Sequence, residues 1–131
     1  ARSREQLAGL MIEDGRAAEA VGMFEARVAQ RPSDALARVG LARALAVTGS
    51  RERAVAELAE AAGRAPREPA VARDYALALH AAGRLDDAVA ELRRGAEARP
   101  AAKQMLLTLA REMLRRAGRE HELDEPSLPG S

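Results

Sequence analysis

The chain contains no cysteine and no tryptophan, one phenylalanine, one tyrosine and a single lysine. Without cysteine there are no disulfides, no thiolate metal ligands and no thiol nucleophile, and the redox state of the compartment leaves no mark on the composition. The compartment is thus open, with the cytoplasm only slightly favoured. Phe24 and Tyr75 are too few to stack on bases, and the formal net charge is only +1, so nucleic acid is not an expected partner. The longest apolar stretch, Met105 to Ala110 with Thr108 inside it, falls far short of the roughly 20 residues that a membrane-spanning helix needs. No membrane insertion is expected, and no basic, apolar and small-residue succession marks a signal peptide.

Catalytic signatures are as scarce. His80 and His121 have no second histidine at ligand spacing, so no metal is expected. Gly9, Gly15 and Gly22 are scattered without the strand-to-helix context or the following lysine of a phosphate loop. Asp86 and Asp87 open a helical stretch, where the dipole favours negative charge, and capping explains them better than acid and base work. The few serines lie at termini and turns, outside any nucleophile elbow. The chain reads as a non-enzyme without a cofactor.

What is present is alanine, leucine and arginine in a regular order. Apolar residues are 47% of 131 and charged residues 31%. With aromatics scarce, the core has to come from Leu, Val, Met and closely approaching alanines, residues that favour helices. Twenty of the 21 basic residues are arginine, Lys103 being the exception; a composition bias that runs with the alanine excess explains this better than selection for anion contacts.

Three residue types share one period. Pro32, Pro66 and Pro100 stand 34 residues apart, as do Gly15, Gly49 and Gly83, and Ala20, Ala54 and Ala88. The glycines follow helical stretches at Gln6 to Asp14, Ala35 to Thr48 and Ala70 to Ala82, and suit the left-handed conformation that ends a helix and reverses the chain. In the run after each glycine the alanine recurs with Phe24, Leu58 or Leu92 one turn later. The alanine lets two backbones approach and the larger residue fills the space beside it. Each proline then stops the second helix, and Ser33 with Asp34, or Glu68 with Pro69, starts the next. First helices carry Leu7, Ala8 and Met11, then Leu41, Ala42 and Leu45, then Tyr75, Ala76 and Leu79, on one face. A fourth copy begins with Leu106, Leu109, Ala110 and Met113, is closed by Gly118, and fails.

This pattern resembles the tetratricopeptide repeat family: small residues at positions 8, 20 and 27, bulky apolar ones at 7, 11 and 24, and proline at 32, counted from Ala1. The departures are Arg4, Arg38 and Ala72 in place of an aromatic, and Arg27 in place of a small residue. The resemblance implies an all-α, right-handed α-solenoid of three 34-residue helix-turn-helix repeats (1–34, 35–68 and 69–102) with a C-terminal capping helix over 102–117. Residues 118–131, with Glu120, Glu122, Asp124, Glu125 and two prolines, are expected to be an acidic tail. Because the chain opens at Ala1 inside a helical pattern, it is expected to be part of something longer, of a bacterial type.

The resemblance further implies a concave surface lined by the first helices. Its groove positions carry across as Arg2, Glu5, Gly9, Ile12 and Glu13; Leu36, Val39, Arg43, Ala46 and Val47; Ala70, Arg73, Leu77, His80 and Ala81; and Gln104, Leu107, Arg111, Leu114 and Arg115. From these the expected partner-binding set is Leu36, Val39, Arg43, Arg73, Leu77, His80, Leu107, Arg111 and Leu114, holding an acidic, apolar peptide or helix through apolar contact and charge-assisted bonds. The competing explanation packs some of these leucines between adjacent first helices and leaves the arginines solvated. The family's co-chaperones clamp a terminal carboxylate with lysine, asparagine and arginine; here the matching positions hold Glu5, Gly9, Gly40, Ala70 and Asp74, which argues against that specificity. The chain's own tail, with Leu123 and Leu128 around Asp124, Glu125 and Pro126, is a tethered alternative ligand, although a linker explains it more simply. Two other functions remain open, a scaffold that self-associates through solenoid ends or tail, and the non-catalytic arm of an enzyme.

Overall fold

A computed structural model describes residues 16–124. Calls on the first helix of the first repeat, Arg2 to Glu13 with Leu7, Ala8 and Met11, and on Gly15 and residues 125–131, lie outside the described residues. Within them the fold is all-helical. It comprises α1 (Ala17–Gln30), α2 (Ala35–Val47), α3 (Arg51–Arg64), α4 (Pro69–Ala81), α5 (Leu85–Ala98), a 3-10 turn (Pro100–Ala102), α6 (Lys103–Arg116) and a short α7 (His121–Asp124). Consecutive helices pack as antiparallel pairs, and the first helices α2, α4 and α6 also touch each other in sequence.

The small residues do what their spacing implied. Ala20, Ala54 and Ala88 are all but inaccessible, with Phe24, Leu58 and Leu92 buried one turn on. Two core clusters follow. One centres on α1 to α3 and the other on α4 to α6, and Tyr75 and Ala78 pack against both. Close approach is literal at two glycines. A Cβ on Gly40 would lie 2.3 Å from the Phe24 ring, and one on Gly95 would lie 2.9 Å from Ala72 Cβ and 3.1 Å from Leu106.

Gly49 and Gly83 end α2 and α4 with positive φ. The amides of Ser50 and Arg84 reach back to the Leu45 and Leu79 carbonyls, each at 2.8 Å, which satisfies the last helical acceptors. Charges secure the proline turns. Arg38, standing where the family has an aromatic, donates to the Pro32 carbonyl and to Glu57 at 3.0 Å, so it ties turn to α3. Arg94 is held by Glu91 through two 2.7 Å bonds and donates to the Pro66 carbonyl at 2.9 Å. Arg27, at a position the family keeps small, reaches Asp34 at 3.1 Å. Asp34 also caps α2 by accepting from the Ala37 amide at 3.0 Å.

Residues 118–124, the start of the expected tail, pack back on the solenoid. Gly118 has positive φ, the Arg119 amide closes on the Leu114 carbonyl at 2.7 Å, and α7 turns back along α5. There Arg119 pairs with Asp86 at 2.7 Å, Arg93 donates to the Glu122 carbonyl at 3.1 Å, and Leu123 packs on the second cluster.

Two stability predictions follow from this packing. Gly63 faces open space within α3, so Gly63→Ala should stabilise the fold by about 0.5–1 kcal/mol through helix propensity. Gly40→Ala should instead destabilise it by about 1–3 kcal/mol, because the Phe24 ring must move. Urea denaturation of both variants checks the pair, and a stabilised Gly40→Ala would contradict the contact. For Asp34, burial pushes the carboxyl up, but the Ala37 amide, the Arg27 guanidinium and the Leu36 amide outweigh it and hold it below the ordinary range. Its stabilisation is therefore complete above the unfolded value of about 4 and is lost as pH falls through the lower folded value. Asp34→Ala should cost about 1 kcal/mol at neutral pH, a gap that narrows in melts at pH 3.

Candidate binding groove

An α-helix presents one residue in every three or four to a given side. On α2 the exposed residues of this side are Leu36, Arg43 and Val47, and on α4 they are Leu77 and Ala81, with Asp74 nearly buried between the two helices. The two sets adjoin, because Arg43 Nη2 reaches across to Asp74 Oδ2 at 2.7 Å. Asp74 is nearly buried and also accepts from Arg73 Nε at 3.3 Å. A single carboxylate therefore holds both arginines expected to attract an anion.

The third first helix, α6, is out of step. Gly83 follows Gly49 by 34 residues, but Gly118 follows Gly83 by 35. The extra residue lies between Pro100 and Gly118, where the 3-10 turn leads into α6, which has 14 residues against 13 in α2 and α4. Leu114 therefore takes the helix-closing place of Leu45 and Leu79. One residue of slip turns a helix face by about 100°. The residues that α6 adds to the shared face are Met105, Thr108 and Glu112, with Arg115 beside them. With Arg73 they line a cleft of about 530 Å³ that also takes in Leu109 and Arg111. Glu112 is held down to about 2, chiefly by hydrogen bonds from Arg115 and then Arg116.

The expected set thus divides. Leu36 is 58% exposed and Leu77 43%, both on the shared face. Arg43 and Arg73 are there too, tied to Asp74, and His80 is half-buried on α4. Val39 and Leu114 are corrections. Val39 is 5% exposed and Leu114 2%, and neither offers surface. Val39 sits off the side that exposes Leu36, Arg43 and Val47 and joins the first core cluster, while Leu114 joins the second because of the slip. Leu107 is half-buried against the second cluster, and with Arg111 it lines a different cleft toward α5. The strict 34-residue carry-over missed Met105, which is 47% exposed, and Val47, 56% exposed, was carried across but left out of the expected set. The 35-residue step to Gly118 was the sequence signal for Met105.

Among the described residues no group of three or more His, Cys, Asp or Glu side chains is placed to hold a metal, and no helix is long and apolar enough to cross a membrane. The arrangement is an apolar strip whose neighbouring charges pair with one another.

Residues 11–73 match the tetratricopeptide repeat family model. By sequence that segment carries the tetratricopeptide repeat, and helix pairs of the same kind continue beyond it. Its solved structural neighbours have the same fold. The type III secretion translocator chaperone SycD of Yersinia enterocolitica, in a structure described as an alternative dimer, superposes with a TM-score of 0.73 at 24% identity, covering 91% of this chain and 92% of that one. SycD in complex with a peptide of the translocator YopD gives 0.70 at 23% identity, over 86% and 88%. MamA MSR-1 gives 0.68 at 18% identity, over 92% of this chain and 68% of that one. No curated protein sequence matches the chain.

The Arg43–Asp74 contact can be weighed directly. Arg43 is exposed, so a double-mutant cycle with Asp74 should return a coupling of about 0.5 kcal/mol. A coupling above about 2 kcal/mol would show the bridge to be shielded from water and the groove to be closed.

Proposed function

We propose that the chain is a non-catalytic protein-interaction module that holds an apolar peptide segment or helix along the face shared by α2, α4 and α6. One observation carries this reading. Among the described residues the large exposed hydrophobics are Leu36, Val47, Leu77 and Met105; all four lie on first helices, and none lies on α1, α3 or α5. Scattered exposed apolar residues need no explanation, but their confinement to one face does. Burial of these side chains by a partner is worth on the order of 1.5–3 kcal/mol each for full desolvation. A preference for acidic partners is secondary, because Asp74 already pairs with Arg43 and Arg73 and offsets one of their two charges. SycD, a protein of this fold, is known in complex with a peptide, which supports the same use here.

Display selection of random peptides on the folded chain tests the proposal. Selected peptides should carry bulky apolar residues. They should lose at least tenfold in affinity against Leu36→Glu with Leu77→Glu, and keep it against Ala56→Glu on the exposed side of α3. Equal affinity for all variants, with helicity intact by circular dichroism, would refute the assignment of the groove.

A further inference from the structure

The charges inside the groove restrict what it can hold. Arg43 and Arg73 share one acceptor, since Arg43 Nη2 lies 2.7 Å from Asp74 Oδ2 and Arg73 Nε lies 3.3 Å from Oδ1. Among the described residues neither guanidinium has a second hydrogen-bond or ion-pair partner. The exposures are opposite in kind: the Asp74 side chain is 10% exposed, Arg43 58% and Arg73 40%. The anion is thus inside, and the two cations face outward over it. A guanidinium carries more N–H donors than one carboxylate contact uses, so water serves the remainder on the groove side.

We propose, building on the groove as the site of an apolar segment, that the segment carries one Asp or Glu between its bulky apolar residues. Its carboxylate lies across Arg43 and Arg73 on the solvent side, opposite Asp74. Position requires the crossing. On α2, Arg43 stands between Leu36 and Val47, roughly 10 Å along the axis from the first and 6 Å from the second. On α4, Arg73 and Asp74 immediately precede Leu77, and Arg73 lines the cleft that takes in Met105 of α6. A segment that covers the apolar residues of all three helices therefore passes over both guanidiniums and expels their water. Donors covered without an acceptor carry the full desolvation cost, so a wholly apolar segment loses on the arginines part of what it gains on the leucines. Charge sets the number. Two cations against one anion leave a single positive charge at this point, which one carboxylate balances through charge-assisted bonds. Farther along the cleft the groups already satisfy one another, Glu112 accepting from Arg115 and Arg116.

Random dodecapeptides displayed and selected on the full chain are the probe. Recovered binders should carry an Asp or Glu flanked by bulky apolar residues well above its frequency in the library. The tightest binder, labelled with fluorescein and titrated by anisotropy, should lose about tenfold in affinity when its acid is replaced by the matching amide. On the double variant Arg43→Gln with Arg73→Gln the same replacement should cost less than about threefold, whereas on Leu77→Gln the acid and amide peptides should weaken together. Both arginines are exposed enough for glutamine to leave the fold intact, which circular dichroism melts verify. Apolar binders without an enriched acid overturn this inference and leave the groove standing, as does an acid-to-amide loss that persists in the double arginine variant. Recovery of no binder at all overturns the groove and this inference together.

Discussion

The contact on which this molecule rests is the crossing of a second helix over the first helices on either side of it, at a distance that only alanine or glycine permits. Gly95 shows the tolerance most clearly, lying under α4 at Ala72 and under α6 at Leu106 with no room for one more carbon. Neither helix of a pair can bury its apolar side within the pair. Each second helix therefore requires the next first helix, and stability accrues by stacking. A core made almost without aromatics is workable for the same reason, since close backbones leave little volume to fill.

Stacking has a consequence at the end of the array. Among the described residues only the short α7 follows the last first helix, and α6 meets this in two ways. Its register slips by one residue, which sends Leu106, Ala110, Met113 and Leu114 inward together, and α7 folds back so that Leu123 covers part of the remainder. The result is a helix with two partly open sides, one continuing the groove of α2 and α4, the other facing α5. The arginines within the stack pair with Asp34, Glu57, Asp74 and Glu91.

Much of the fold was legible beforehand because each repeated residue has a local physical reason. Proline removes an amide, glycine takes positive φ, and alanine at fixed spacing marks a crossing; none of these depends on knowing the neighbours. The exposed apolar face was less legible. Leu36, Leu77, Arg43 and Arg73 could be assigned to first helices from the repeat, but that Asp74 contacts both arginines depends on two helices being side by side. Val39 and Leu36 are equally apolar and three residues apart; which of them is buried was decided by the packing of α2 on its neighbours.

The sequence alone determined the period, the helix pairs, the turns and the exclusion of thiol and disulfide chemistry, since these follow from backbone conformation and residue type. It even contained the 35-residue step to Gly118 that marks the slip. Tertiary structure alone decided which face of α6 became groove, because a helix has no preferred azimuth until something packs against it. It decided as well that the start of the acidic tail is a helical turn held by Arg93 and Asp86, since that turn is too short to persist except against the solenoid it closes.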